Sequence, residues 1–165
     1  MIYLYMKTKK VFFLIIILVA IDQLIKLIIN KFYLDSEFEI IPSLLYFKPT
    51  FNHKYFYINS LFNLVDGFWV HIIGCIAVIL IMLIIDSYLK RKKYGSFILR
   101  IGIMITIAGA ISALICTIFW NGTLDYIYLK PLFVFDLKDL YLNSIVPCLI
   151  INIIIQHKNQ KRLSN

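Results

Sequence analysis

The sequence predicts an all-α membrane protein of four transmembrane helices, with a small β-like or amphipathic element on its extracytoplasmic surface. Three observations predict it. Of 165 residues 61% are hydrophobic and only 16% charged, with a mean hydropathy of +0.85; a soluble domain is roughly half apolar and about a quarter charged. A water-facing core of this size cannot bury that excess, so the solvent around it is lipid. Four apolar runs near 11–29, 68–89, 98–120 and 140–156 approach the ~20 residues needed to cross the hydrocarbon. Finally, eleven of the seventeen basic residues fall in three short flanks: Lys7, Lys9 and Lys10; Lys90, Arg91, Lys92, Lys93 and Arg100; Lys158, Lys161 and Arg162. That is the positive-inside pattern of cytoplasmic loops, and it reads the net charge of +8 as a topology signal, with no nucleic acid as partner.

Each element follows in order. The first run, VFFLIIILVAIDQLIKLII, carries Asp22 and Lys26 in its outer half. A basic stretch before an apolar run also fits a cleaved signal peptide, but no small-residue cleavage pattern follows, so it is read as a retained span. Residues 30–67 then face outward and are rich in aromatic rings, as expected of an interfacial belt. Within them Glu39-Ile-Ile and Ser43-Leu-Leu-Tyr-Phe-Lys are strand-like, which suggests a small sheet or amphipathic element on the membrane surface. The third run contains Gly102, Ala108, Gly109, Ala110, Ser112 and Ala113, small residues that let helices approach closely. Pro147 in the fourth run predicts a kink there, or packing against neighbours that satisfy the freed carbonyl. Both termini are expected on the cytoplasmic side, and seven of the nine acidic residues fall in the outward segments 30–67 and 121–139. The whole chain, 1–165, reads as one four-span domain working as a monomer.

Cys75, Cys116 and Cys148 sit in apolar runs without ligand spacing and read as small core residues. His53, His71 and His157 form no metal motif, and Ser60 and Ser112 have no evident base. No metal and no organic cofactor is expected.

An ionisable group inside the hydrocarbon costs about 2.5 kcal/mol or more and calls for an explanation. Asp22 and Lys26, four residues apart, share a helix face and can neutralise each other. Asp125 lies in the strand-like TLDYIYL stretch beyond the third run, and Asp139 opens the fourth. Both therefore reach the outer boundary at one depth. Two carboxylates close together in a partly dehydrated site share a proton, so that one serves as general base while the other polarises a carbonyl, the logic of aspartyl proteolysis. Asp136 and Asp139 have a competing use as helix N-caps, which spacing alone favours for Asp136.

These residues resemble the lipoprotein signal peptidases, the signal peptidase II family, over most of the chain. Asp22-Gln-Leu-Ile-Lys26 resembles the family's Asp-x-x-x-Lys; Gly122-Thr-Leu-Asp125-Tyr its Gly-x-x-x-Asp-Phe stretch; Phe135-Asp136-Leu-Lys138-Asp139 its Phe-Asn-x-Ala-Asp. The resemblance implies an aspartyl endopeptidase of the bacterial cytoplasmic membrane. Its substrate would be a lipid-modified prolipoprotein, cleaved before the lipidated cysteine in contact with membrane lipid. Asp125 and Asp139 would be the catalytic pair, with Asp22, Lys26, Asn52 and Asp136 binding or supporting. The family's Gly-Asn-x-x-Asp-Arg is replaced here by Ser112-Ala-Leu-Ile-Cys116-Thr117, and its Asn and Ala by Asp136 and Lys138. Lys130, Lys54 and His53 are the candidates for the absent arginine's charge. A catalytically silent relative that binds lipidated peptides, and a small transporter or channel subunit using Asp22 and Lys26, are the alternatives.

Overall fold

The computed structural model describes residues 8–53, 67–92, 96–120 and 122–164. In lipid every backbone amide must be paired within the protein, so long apolar runs become helices. These are α1 (Thr8–Phe32), α2 (Gly67–Lys92), α3 (Phe97–Trp120), and the pair α4 (Leu137–Asn143) and α5 (Ile145–Ser164). Among the described residues four helical stretches, the last running from Leu137 to Lys158 through α4 and α5, are long and apolar enough to span a membrane. The protein is thus a four-helix membrane protein with a small antiparallel sheet, as its composition predicts.

α3 is the buried centre of the bundle and packs against α1, α2, α4 and α5. Its small residues explain how. A methyl group added to Gly102 would stand 2.6 Å from Cys148 Cβ, and one added to Gly109 would stand 2.8 Å from Leu142 N and 3.0 Å from Lys138 O. The outer helices leave large apolar residues such as Phe12, Ile73, Ile84 and Ile153 exposed, as a lipid-facing surface requires.

Breaking of the fourth span at Ser144 has a local cause. Pro147 offers no N–H to the carbonyl of Asn143, and its ring crowds that carbonyl. The Ser144 hydroxyl meanwhile donates to Tyr141 O at 2.7 Å. The sequence anticipates a kink from Pro147; the chain instead interrupts the helix one turn earlier.

The sheet runs β1 (Phe38–Ile41), β2 (Leu45–Asn52), β3 (Thr123–Leu129) and β4 (Phe133–Phe135), all neighbours antiparallel. It joins the two interhelical segments at one end of the bundle. Ser43, read as strand from sequence, instead lies in the turn before β2, at φ 60°. The β2–β3 register shifts between Phe47 and Thr50. Pro49, which has no N–H for the ladder, falls in that irregularity. Leu124 and Tyr126 point into a core with Ile29, Phe47, Phe51, Trp120 and Leu137.

Arg100 is a correction. It is grouped by sequence with the flanking cations, but it is buried, and its Nε lies 3.2 Å from Asp86 Oδ1. Asp86 also pairs with Lys90, so α2 and α3 are tied by ions at the end away from the sheet. Lys7, Lys54, Tyr55, Phe56, Tyr57, Ser60, Phe62, Asp66 and Lys93 lie outside the described residues.

Candidate active site

The sheet-bearing end gathers charges from α1, β3 and the capped start of α4. On α1 the i, i+4 spacing stacks Lys26 over Asp22, with Nζ 2.8 Å from Asp22 Oδ2. Both side chains are fully buried. Lys26 Nζ also lies 2.7 Å from Asp136 Oδ2 and 3.2 Å from Cys116 Sγ on α3. Gln23 Nε2 donates to Asp22 Oδ2 at 3.0 Å.

β3 contributes Asp125. The register sets Asn52 of β2 opposite Thr123, so Asp125, two residues along, falls on the same face, and Asn52 Nδ2 donates to Asp125 Oδ2 at 3.2 Å. β4 ends at Phe135, and the chain turns directly into α4 through a capping box. Asp136 Oδ1 accepts from Asp139 N at 3.2 Å, and Asp139 Oδ2 accepts from Asp136 N at 3.1 Å. Asp139 is thereby fixed beside Asp136, and one carboxylate oxygen from each of Asp125, Asp136 and Asp139 lies within 4.8 Å of the others.

The cation among these three carboxylates is Lys138. Its Nζ lies 3.0 Å from Asp136 Oδ2, 3.1 Å from Asp125 Oδ1, and 3.3 and 3.4 Å from the two oxygens of Asp139. The result is an alternating line of charge: Asp22, Lys26, Asp136, Lys138, then Asp125 and Asp139. Burial works to raise the Asp136 carboxyl, but Lys138 and Lys26 together outweigh it and hold the group below the usual carboxylate range. Burial, then the charges of Asp136 and Asp22, push the Tyr126 phenol up to about 12, which keeps it a neutral wall of the site. Of the charged line, Asp139 is the member with substantial exposure, 34% of its side chain against 5% for Asp125. The site opens there.

The family model described as Signal peptidase (SPase) II matches residues 14–155. The chain belongs to the signal peptidase II family. Signal peptidase II is an aspartic peptidase family, and two solved structures share this chain's fold. Both are described as bacterial membrane enzymes determined by the in meso method, one at 2.3 Å and one at 1.9 Å resolution. The first has a TM-score of 0.70 and 18% identity, covering 92% of each chain. The second has a TM-score of 0.70 and 19% identity, covering 87% of this chain and 92% of that one. No curated protein matches the chain.

Within this signal peptidase II chain, the residues singled out by sequence converge. Asp125 and Asp139 meet across β3 and α4, Asn52 bonds to Asp125, and Asp22, Lys26 and Asp136 form the line behind them. Asp136 is the helix cap its position suggests, and a charged member of the site as well. Of the candidates for the missing positive charge, Lys54 lies outside the described residues. Lys130 lies over the Tyr46 ring, 5.7 Å from its centroid, and His53 stacks on Phe51 at 6.2 Å. Lys138, noted in the sequence only as a replacement for alanine, is the cation between the carboxylates. The available signal was a lysine flanked by acids at the mouth of an apolar span, where an ammonium needs partners. His71 packs near the start of α2. It is buried, with Nδ1 2.7 Å from Thr117 Oγ1; that hydroxyl donates to Ala113 O, so the ring nitrogen is the donor.

Proposed function

We propose that this protein is a lipoprotein signal peptidase that removes the signal peptide from a lipid-modified precursor, with Asp125 and Asp139 as its catalytic pair. The observation that carries the reading is the approach of those two carboxylates, from β3 and the start of α4, to within 4.8 Å at the boundary of the spans. One water can contact both at that spacing. One carboxylate takes a proton from this water as its oxygen attacks the scissile carbonyl carbon, while the other carboxyl gives its proton to the carbonyl oxygen. The tetrahedral diol then collapses: the C–N bond breaks, and a proton passes to the departing cysteine amine. General acid–base catalysis of this kind contributes about 10²–10⁴-fold.

The remaining residues fit support roles. Asn52 orients Asp125, while Asp22, Lys26 and Asp136 anchor α1 to the start of α4. The sheet, with Phe38, Ile40, Ile41 and Phe133 exposed, suits a surface seated in the headgroup region against a lipidated peptide. The basic flanks support placing the sheet at the outer face of the bacterial cytoplasmic membrane, with both termini inside.

One observation favours a second reading, a catalytically silent relative that binds lipidated peptides: Lys138 lies between the paired carboxylates. Incubating the purified protein in micelles with a diacylglyceryl-modified precursor peptide, and with the same peptide unlipidated, separates the two. The proposal expects cleavage of the lipidated peptide alone, giving a product that begins at the modified cysteine. Binding without cleavage would establish the silent relative.

A further inference from the structure

Four carboxylates and two ammoniums share the buried line from Asp22 to Asp139, and the second ammonium is the unusual one. Lys138 is 4% exposed, and its three donors face Asp125, Asp136 and Asp139 at once. Three carboxylates cannot lie within 4.8 Å of one another in a dehydrated pocket without a cation or added protons to offset their repulsion. Lys26 does not serve that purpose for the pair, because its contacts are Asp22, Asp136 and Cys116. On α2, His71 bonds to Thr117, with Nδ1 2.7 Å from the hydroxyl oxygen.

The resemblance drawn from the sequence points the same way. Where the resembled motifs have Asp and Arg on the third span, this chain has Cys116 and Thr117; where they have Asn and Ala before the final aspartate, it has Asp136 and Lys138. Set against those motifs, α3 offers no charge at Cys116 and Thr117, while the start of α4 offers Asp136 and Lys138. The geometry agrees with that contrast, for Lys26 reaches the Cys116 sulfur but takes its countercharge from Asp136.

We propose that Lys138 is a positioning residue of this active site, whose ammonium holds the carboxyls of Asp125 and Asp139 at their working spacing and replaces, from α4, the positive charge missing from α3. This inference rests on the peptidase reading for its purpose. Lysine suits the task because it is a point charge on a flexible stem. It can keep Asp136 at 3.0 Å and Asp125 at 3.1 Å while releasing the longer contacts to Asp139, which makes room for water and the scissile carbonyl.

The test is infrared spectroscopy of the full-length protein in micelles at one neutral pH, reading the protonated-carboxyl C=O band, with cleavage of the lipidated peptide followed in parallel. Removing the cation in Lys138→Gln should make the cluster take up a proton, so the band grows by the equivalent of one carboxyl. Lys138→Arg should keep the wild-type band. The double variant Asp136→Asn with Lys138→Gln removes one acid and one base together, and should return to the wild-type band. If Lys138→Gln fails to fold while the double variant folds, charge balance is again the cause. A folded Lys138→Gln with an unchanged band would overturn the proposal, as would failure of both neutral variants to fold, since that marks a packing role. The band is read without turnover, so a protein that shows these shifts but never cleaves would refute the peptidase reading and leave the charge assignment standing.

Discussion

Asp136 serves the helix, the ion line and the site at once, and its behaviour in acid follows from that. Its carboxyl is held below the usual range in the folded protein, so its contribution to stability is fully present above the unfolded value of about 3.9 and is lost as pH falls through the lower folded value. Thermal unfolding in micelles from pH 7 down to 3 should show a steep loss of stability below about pH 4 in the wild type and a shallower one in Asp136→Asn. Equal slopes would remove Asp136 from the account. Lys26 makes a second prediction at this scale. Replacing it by methionine strands the buried Asp22 carboxylate and leaves Asp136 with Lys138 alone, and breaking a buried pair costs about 3–5 kcal/mol. Chemical denaturation of Lys26→Met should show a loss of that order. At residue scale the sequence was legible where partners are local: Asp22 with Lys26, and Asp136 as a cap, follow from spacings of four and three. Lys138 was not, because its partners depend on how β3 pairs with β2 and how closely α4 meets α3. Arg100 was misread for the same reason, since its partner Asp86 lies across a helix hairpin.

The elements were easier to read than their ends. Hydropathy fixes a membrane helix because lipid leaves the backbone no other way to pair its amides, so α1, α2 and α3 emerge close to the expected spans. Strands within 30–67 and 121–139 showed only as short β-prone stretches, since their pairing is long-range and β4 is three residues long. Gly109 is where element geometry controls the site. Its Cα faces Leu142 N and Lys138 O so closely that a side chain cannot fit without moving backbone. Gly109→Ala should push α4 off α3, lower stability by about 1–3 kcal/mol and reduce cleavage, because Lys138 and Asp139 ride on α4. A variant as stable and active as wild type would show that the approach of these helices does not set the site.

Over the whole molecule, an even number of spans puts the sheet, Asp22, Lys26, Asp125 and Asp139 at one end and the Asp86–Arg100 tie at the other. The four-span plan was legible in the sequence, and the pairing of the two aspartates was expected from the family resemblance, not from their spacing alone. The internal cation that came with them was hidden, because its partners come together only through the pairing of β2 with β3 and the capping box of α4. The account's central claim is that Asp125 and Asp139 act as one catalytic pair. It is tested most directly by the rate of lipidated-precursor cleavage in wild type, Asp125→Asn and Asp139→Asn, each shown to be folded. The account predicts that either substitution alone lowers the rate by about 10²-fold or more. Cleavage at the wild-type rate in either folded variant would contradict it.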